Sequence, residues 1–321
     1  MTLPALVEQH PAKQLARIAF TQLTGEQVHR LVRLQKGWGH ISWTVRTHSG
    51  RYLLKTGLRR PALADLYRQV AAQQQAAAHI PTPLVVAISD HGAALQRPCY
   101  VQTWLDGVDG EVLLPRLGPQ GVQHFGRALG AAVAAMHQVP GPRFAEDCSG
   151  AVTYASWTDA CHARLSRVTA ANEKAAVLDT GVLSTVVDHL AERIGDLPRT
   201  ITPRLTHRDL YLPNALQLAG ANGAVGLIDW ESAAFYDPVW DFVKLGMWVF
   251  DRHPELRAPF MDGYGPLPGA FDERLAVYQG IEYLAGFPYF GAAWPDATML
   301  TGFRRLLNDW LATHCPTGTR S

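Results

Sequence analysis

Two carboxylates and one carboxamide in the C-terminal half of the chain have the types and the spacing that phosphoryl transfer requires. Asn214 follows Asp209 by five positions, and Asp229 follows Asp209 by twenty. One carboxylate can accept the proton of an attacking hydroxyl, while an amide oxygen and a second carboxylate can hold Mg²⁺ against phosphate groups. We therefore interpret Asp209 as the candidate catalytic residue, and Asn214 and Asp229 as candidate metal ligands.

The segment between Asn214 and Asp229 is predicted to form a short hairpin. Its two apolar runs, residues 215–218 and 224–228, flank residues 219–223, which consist of Ala, Gly and Asn. Apolar runs on either side of a Gly/Asn-rich turn are typical of paired strands. Such a hairpin would return Asp229 to the loop that carries the other two residues.

These residues resemble the motifs of the aminoglycoside phosphotransferase and choline kinase superfamily, the small-molecule relatives of protein kinases. The pattern His207-x-Asp209-x-x-x-x-Asn214 and the following residues 228–231 (IDWE) are similar to the family's catalytic and metal-binding motifs. Residues 237–241 (DPVWD) are similar to the family's next landmark.

The residues around Asp209 are expected to support it rather than to react. The resemblance implies that His207 holds the catalytic loop and that Asp241 braces the loop from beneath. Arg208 has two interpretations, a positive charge near the γ-phosphate or a surface residue, and we favour the second slightly.

The resemblance covers about residues 35–250 and implies an α+β, bilobal protein-kinase-like fold. A small N-terminal lobe, residues 1–104, would combine a leading helix with an antiparallel nucleotide-binding sheet. A larger, mostly helical C-terminal lobe, residues 105–321, would carry the catalytic loop, the metal site and the acceptor pocket. Helical spacing predicts helix over residues 11–34, either continuous or with a restart at residues 24–26. The turn-rich residues 106–110 mark the boundary between the lobes.

A glycine-containing segment near the N-terminus is a candidate phosphate-binding loop. Gly37, Gly39 and His40 lie in residues 35–56, which are predicted as strand, loop, strand, turn and strand. Glycines let a backbone approach a phosphate closely, and adjacent N–H groups can then bind it. The segment resembles the family's glycine loop, which usually has Asn where His40 stands, so these three residues are expected to contact the nucleotide. An ordinary hairpin with a bulge would contain the same glycines.

Lys55 is one of only five lysines, and it lies in an apolar run that is predicted to be a strand. An unpaired ammonium would be unfavourable there, so a partner is expected. The phosphates of a nucleotide would serve, as they do for the family's third-strand lysine. The helix predicted over residues 62–79 contains no glutamate, although the family usually supplies its acid partner for the lysine from this helix. Asp65 or a glutamine such as Gln69 could replace that acid, and the sequence does not decide between them.

The strand predicted over residues 99–105 leads into the connection between the lobes. The backbone of Gln102, Thr103 and Trp104 is expected to hydrogen-bond the adenine edge of a nucleotide, with apolar neighbours enclosing the ring. The expected phosphoryl donor is therefore ATP or GTP, with Mg²⁺ as the cofactor.

The net charge of +1 is distributed unevenly along the 321 residues. Residues 1–105 contain 12 Lys/Arg and 4 Asp/Glu, whereas residues 106–321 contain 17 and 24. A basic N-terminal part suits an anionic nucleotide, and an acidic C-terminal part suits a hydroxyl-bearing substrate that can be cationic. Two solvated faces that balance each other would give the same counts.

Several other classes of protein lack support in the sequence. No GxSxG elbow of a serine hydrolase and no GxGxxG of a dehydrogenase occurs, and the basic residues form no stripe that would indicate nucleic-acid binding. No apolar run reaches the ~18 residues of a membrane span. The four cysteines form no CxxC pair, so we expect a cytoplasmic protein without a disulfide framework.

The predicted function is Mg²⁺-dependent transfer of a phosphoryl group from ATP or GTP to a hydroxyl of a small molecule. The glycine loop, with Trp38 and Trp43, most resembles that of the antibiotic-modifying members of the family, so an antibiotic is the first substrate class. A metabolic kinase for an amino alcohol, a sugar or an amino acid is the alternative. A catalytically silent kinase-like binding module is a third possibility, because His40 and Gln69 depart from the family pattern.

Overall fold

A computed structural model gives the structure of the chain and describes residues 13–34, 40–57, 63–91, 93–220 and 223–315. These residues form ten α-helices and twelve strands. The helices are Lys13–Thr24 (α1), Leu63–Ala76 (α2), Gly110–Leu113 (α3), Pro119–His137 (α4), Trp157–Ala175 (α5), Thr180–Gly195 (α6), Asp241–Leu245 (α7), Arg257–Tyr264 (α8), Phe271–Pro288 (α9) and Ala297–His314 (α10). The strands are Arg30–Leu34 (β1), His40–Arg46 (β2), Arg51–Gly57 (β3), Val85–Ser89 (β4), Cys99–Thr103 (β5), Gly107–Asp109 (β6), Phe144–Ala145 (β7), Thr153–Tyr154 (β8), Arg204–Thr206 (β9), Ala215–Leu218 (β10), Val225–Leu227 (β11) and Ala234–Tyr236 (β12).

The N-terminal lobe is built on a five-stranded antiparallel sheet with the order β1-β2-β3-β5-β4. Successive side chains of a strand point to opposite faces of the sheet. In β3 this alternation places Leu54 in the hydrophobic core and Lys55 on the other face. Leu54 is fully buried in the same apolar cluster as Phe20 of α1. Burying each of these side chains contributes about 1.5–3 kcal/mol. Lys55, the next residue, therefore lies on the opposite face of the sheet, together with its cross-strand neighbour Tyr100 and helix α2.

The C-terminal lobe is mostly helical and carries two small antiparallel sheets, ordered β11-β10-β6 and β8-β7-β12-β9. The predicted α+β class is confirmed, with a small sheet-based N-terminal lobe and a larger, mostly helical C-terminal lobe. The division at residues 104 and 105 stays a prediction. Within the described ranges, no helix combines the length and the apolar character that crossing a membrane requires.

The prediction of helix up to residue 34, with or without a restart at residues 24–26, is wrong after Thr24. Helix α1 ends at Thr24, where Gly25 adopts a φ of +73° and donates its N–H to the carbonyl of Thr21 at 2.8 Å. A glycine in the left-handed region is a common end of a helix. The chain then forms the edge strand β1, in which only Leu31 is buried, so the sequence shows no clear strand alternation.

The segment read as a turn at the lobe boundary also forms a strand. Residues 107–109 make up β6, which pairs with β10 so that Gly107 lies opposite Leu218. A β-carbon on Gly107 would lie 2.7 Å from the carbonyl oxygen of Gln217, so the pairing needs glycine here. The partner strand is more than 100 residues away in sequence, and the local turn pattern therefore gave no sign of it.

A buried ion pair ties the segment after β12 to α9. Asp237 is fully buried, and its Oδ2 accepts hydrogen bonds from Nε of Arg274 at 2.8 Å and from the hydroxyl of Tyr278 at 2.5 Å. Its Oδ1 accepts a second bond from the Arg274 guanidinium and one from the N–H of Val239 at 3.0 Å. The carboxylate therefore depends on Arg274 for its counter-charge.

Replacing Arg274 by Leu should reduce the free energy of unfolding by about 3–5 kcal/mol, because it leaves a buried carboxylate without its cation. Urea unfolding followed by circular dichroism measures this loss. The matched control is Arg193→Leu, which removes a surface pair with Asp196 at 3.1 Å and should change stability by less than about 1 kcal/mol. Equal losses in the two variants would show that the Arg274 pair does not support the lobe.

Candidate active site

The buried carboxylate of Asp241 fixes the start of the loop that follows β9. Its Oδ2 accepts hydrogen bonds from the backbone N–H of His207 at 2.9 Å and from Nε2 of His137 at 3.0 Å. Its Oδ1 accepts one from the N–H of Arg208 at 2.5 Å. Hydrogen bonds to a charged group are roughly twice as strong as neutral ones. This geometry agrees with the bracing role that was expected of Asp241.

His207 links the catalytic loop to the segment before Asp229. Its Nε2 donates to the carbonyl of Ile228 at 2.9 Å, and its ring packs on that of Trp230 with centroids 4.8 Å apart. The imidazole is fully buried, and this position suits a residue that holds the loop.

Asp209, Asn214 and Asp229 meet in one place. The hairpin β10–β11 forms as predicted, and at its base the N–H of Ile228 donates to the carbonyl of Asn214 at 3.0 Å. Nδ2 of Asn214 donates to the backbone carbonyl of Asp209 at 3.0 Å and lies 3.4 Å from its Oδ2. Oδ1 of Asn214 has no hydrogen-bond partner in the part of the chain that the structure describes. The amide nitrogen thus holds the loop, and the amide oxygen is left to accept a cation.

The environment of Asp209 favours proton uptake. Burial raises the pKa of its carboxyl, and the negative charges of Asp229 and Glu231 raise it further, whereas Lys244 and His207 oppose the shift. A raised pKa makes a carboxylate a stronger base.

Lys55 reaches across to the catalytic side of the cleft. Its side chain is almost fully buried, and its Nζ lies 2.9 Å from Oδ1 of Asp229. Burial opposes the ammonium, but the neighbouring Tyr100 hydroxyl and the Asp229 carboxylate favour it, so the pKa of Lys55 is raised overall. Asp229 is therefore the acid that pairs with Lys55 in this structure. The side chain of Asp65, one of the two partners considered from the sequence, lies outside the described residues.

Arg208 is half-buried, so the surface interpretation that we favoured is wrong. Its guanidinium lies over the ring of Tyr236, 4.4 Å from the centroid, and its Nε is buried without a hydrogen-bond partner among the described residues. The residue has a φ of +62°, a conformation that is unfavourable by roughly 1–2 kcal/mol for a residue with a side chain. The backbone hydrogen bond from Arg208 to the buried Asp241 carboxylate helps to hold this conformation.

The predicted glycine loop lies largely outside the described residues. Gly37 and Gly39 are not described, and neither is the side chain of His40. The backbone of His40 begins β2 and lies opposite Gly57. The expected contact of these three residues with a nucleotide stays a prediction.

Two N–H groups of the segment whose backbone is predicted to bind the adenine edge already have partners. The N–H of Thr103 donates to the carbonyl of Leu84 at 2.8 Å, and the N–H of Trp104 donates to that of Arg51 at 2.9 Å. Those two N–H groups are thus used within the lobe, and the contact of the Gln102, Thr103 and Trp104 backbone with the adenine edge stays a prediction. Gln102 lies within β5 with its side chain buried. The first N–H after β5 without a partner in the described ranges is that of Leu105.

The family model of the phosphotransferase enzyme family, which includes the aminoglycoside phosphotransferases, matches residues 30–276. The chain belongs to the phosphotransferase enzyme family. No curated protein matches the sequence at a significant level.

Solved structures of similar fold include enzymes that act on different acceptors. A thermostable mutant of the aminoglycoside phosphotransferase APH(4)-Ia superimposes with a TM-score of 0.72 and 17% identity, covering 94% of this chain and 100% of that chain. A candidate fructosamine-3-kinase of Thermobifida fusca gives a TM-score of 0.66 and 19% identity, with coverage of 92% and 99%. The spectinomycin phosphotransferase APH(9)-Ia gives 0.58 and 14%, with coverage of 94% and 95%. At these identities the likeness confirms the predicted kinase-like fold of this phosphotransferase, and its family membership makes it a small-molecule kinase.

The residues of this phosphotransferase fit a magnesium ion better than a transition metal. No group of three or more His, Cys, Asp or Glu in the described segments is arranged to hold a metal. Mg²⁺ commonly takes only one or two protein oxygens and completes its coordination with water and phosphates. The carboxylate of Asp229 matches that requirement, and so does Oδ1 of Asn214, which has no partner among the described residues.

Lys244 is a charged residue near the phosphotransferase site that the sequence reading missed. It lies one helical turn after Asp241 in α7, and its charge acts on the carboxylates of Asp209 and Glu282. Residues three apart share one face of a helix. Since Asp241 was already expected to face the catalytic loop, this spacing would have placed Lys244 beside Asp209.

Replacing Asp241 by Asn should reduce turnover by the phosphotransferase by about 10²-fold, because a displacement of the catalytic loop by ~1 Å has effects of this size. The new NH₂ group would face one of three donors, which should also lower the free energy of unfolding by about 1–3 kcal/mol. Steady-state rates and urea unfolding measure the two effects. Asp251→Asn, at an exposed position, is the control, and equal rates in the two variants would contradict the bracing role.

Proposed function

We propose that the protein is a Mg²⁺-dependent phosphotransferase that moves the γ-phosphoryl group of ATP or GTP to a hydroxyl of a small molecule, with an antibiotic as the first candidate acceptor. The meeting of Asp209, Asn214 and Asp229, with Lys55 at 2.9 Å from Asp229, carries this proposal. The proposal includes a cytoplasmic location, which is expected from the cysteine usage.

Asp209 orients the acceptor hydroxyl and accepts its proton as the phosphoryl group is transferred. Its raised pKa and its hydrogen bond to the amide of Asn214 support this role. Asn214 and Asp229 would hold Mg²⁺. When bound, the ion neutralises charge on the phosphate oxygens.

Lys55 and Leu105 are proposed to hold the nucleotide from opposite ends. The Lys55 ammonium, kept charged by its surroundings, would bind the α- and β-phosphates. The base would bind to the N–H of Leu105, which has no partner within the described ranges, in place of the Thr103 and Trp104 N–H groups. Gly37, Gly39, His40 and the backbone of Gln102, Thr103 and Trp104 remain proposed nucleotide contacts.

The acceptor class is tested most directly in cells. Expression in a sensitive bacterium should raise the growth-inhibiting concentration of at least one hydroxyl-bearing antibiotic, with Asp209→Ala as the control. One solved neighbour is a ternary complex with AMP-PNP and hygromycin B, which supports the choice of panel. Protection that persists in the control would mean that phosphoryl transfer is not its cause.

A metabolic acceptor is the second candidate, and the fold similarity to a candidate fructosamine-3-kinase favours it. Nucleotide consumption by the purified protein should be compared across amino alcohols, sugars and amino acids. Turnover of one of these with a Michaelis constant in the metabolite range, without protection from any antibiotic, would favour this alternative.

A catalytically silent binding module is distinguished by ligand stabilisation. ATP or GTP with Mg²⁺, at ~100–1,000 times its dissociation constant, should raise the free energy of unfolding by about 2.7–4.1 kcal/mol. Stabilisation without turnover of any hydroxyl compound would indicate the silent module. The absence of stabilisation by either nucleotide would contradict the proposed function.

A further inference from the structure

A buried polar network connects Lys55 to helix α2 through Tyr100 and Gln69, neither of which is an acid. Lys55 in β3 lies directly opposite Tyr100 in β5, and residues directly opposite in antiparallel strands project to the same face. The Tyr100 hydroxyl donates to Oε1 of Gln69 in α2. Tyr100 and Gln69 are each only 1% exposed, so neither polar group has water as an alternative partner.

The direction of this hydrogen bond leaves the oxygen of the Tyr100 hydroxyl available as an acceptor. Its hydrogen is used by the carbonyl oxygen of Gln69, so its oxygen lone pairs remain to accept a hydrogen bond. The side chain of Lys55 lies on the same face of the sheet and interacts with that hydroxyl, and an ammonium has only donors to offer. The order lysine, tyrosine, glutamine therefore places a donor against an acceptor at each step.

The hydrogen bonding of Gln69 favours a role in orienting Tyr100 over a role in filling space. Its Nε2 is buried without a hydrogen-bond partner in the described part of the chain, and such an orphaned donor is unfavourable by about 1–3 kcal/mol. A residue that only filled space here would be apolar, as Leu66 and Val70 of the same helix are. The amide is retained where its one satisfied atom is the oxygen that orients Tyr100.

We propose that Tyr100, oriented by Gln69, is a positioning residue that holds the Lys55 ammonium for the nucleotide phosphates in place of an acidic partner on α2. This inference rests on the proposed function. Asp229 is then the carboxylate that balances Lys55, and it is also a proposed metal ligand. When Asp229 binds a cation, the neutral Tyr100 keeps Lys55 in place without neutralising it, so the full ammonium charge acts on the phosphates.

The first test is Tyr100→Phe, which removes one hydroxyl and keeps the ring. Loss of the positioning contact should raise the dissociation constant and the KM for the nucleotide by about 10-fold and lower kcat by about 10-fold. Tyr278→Phe is the matched control, because that hydroxyl is also buried and hydrogen-bonded, to Asp237, but lies outside the proposed site. Nucleotide constants in Tyr100→Phe that equal those of the control would overturn the inference.

The second test is rescue by an acid. In Tyr100→Phe/Gln69→Glu, a carboxylate on α2 faces Lys55 directly and should recover at least about 5-fold of the lost nucleotide affinity. A purely structural role of Tyr100 predicts the opposite, since a second buried carboxylate would only add to the damage. In a Lys55→Met background, Tyr100→Phe should change nucleotide affinity less than about 2-fold, because the two residues act through one contact.

Nucleotide binding by the wild-type protein separates the two possible failures. If the wild type binds nucleotide and turns over an acceptor while Tyr100→Phe behaves identically, only the positioning role fails. If the wild type binds neither ATP nor GTP, the proposed function fails and the inference fails with it.

Discussion

Asp209→Asn should reduce turnover by about 10²–10⁴-fold while leaving the dissociation constant of the nucleotide within a few-fold of the wild type. Asparagine has the shape of aspartate but cannot accept the proton of the acceptor hydroxyl. The side chain does not contact the proposed phosphate and metal ligands except through the amide of Asn214, 3.4 Å away. Nucleotide binding should thus survive a change that removes the base.

Initial rates with a saturating acceptor and a nucleotide titration measure the two quantities. The matched control is Asp251→Asn, an exposed aspartate in the same lobe, which should keep the wild-type rate. A rate for Asp209→Asn within about 10-fold of the wild type would remove Asp209 from the catalytic role, because general base catalysis is worth more than that. A loss of nucleotide binding of the same size would assign it a binding role instead.

The meeting of the three site residues was predictable because the chain between them is short. Asn214 and Asp229 are separated by a hairpin whose turn contains Gly220 and Gly223, both with positive φ, as the Gly-rich sequence indicates. Once this hairpin forms, few positions are open to Asp229. The support of the loop by Asp241 followed from the family resemblance.

The partner of Lys55 was not predictable from local pattern. Lys55 and Asp229 are 174 residues apart, and their contact depends on how the two lobes pack. The absence of an acid at Gln69 was visible in the sequence, but the role of Tyr100 was not. It depends on the pairing of β3 with β5, which places Tyr100 opposite Lys55.

Contacts between segments that are distant in sequence also explain the other departures from the sequence-based expectations. The N–H groups of Thr103 and Trp104, in the segment whose backbone is predicted to bind the adenine edge, donate to the carbonyls of Leu84, just before β4, and of Arg51 in β3. For Arg208, the surface interpretation was favoured slightly over a positive charge near the γ-phosphate. The ring of Tyr236, in a strand that follows by nearly thirty residues, instead covers its guanidinium. Pairings between distant segments decide each of these positions, and composition does not encode them.

Asp229→Asn should reduce turnover by about 10³-fold or more, a larger loss than Asn214→Ala should give. Several kcal/mol of charge stabilisation by the metal would be lost with the carboxylate, and each 1.36 kcal/mol is a factor of ten in rate. Asparagine is the informative substitution because Asp229 has a φ of +69°, and Asn tolerates this region, whereas Ala would add backbone strain. The loss can then be attributed to the missing charge.

Unfolding with nucleotide, with and without Mg²⁺, separates the metal role of Asp229 from its pairing with Lys55. In the wild type, Mg²⁺ should add to the stabilisation by ATP or GTP, and in Asp229→Asn this Mg²⁺-dependent part should disappear. Asn214→Ala should retain some of it, because the carboxylate is still present. If Asp229→Asn kept the full Mg²⁺-dependent stabilisation but lost activity, Asp229 would act through Lys55 alone, since its Oδ1 lies 2.9 Å from that ammonium.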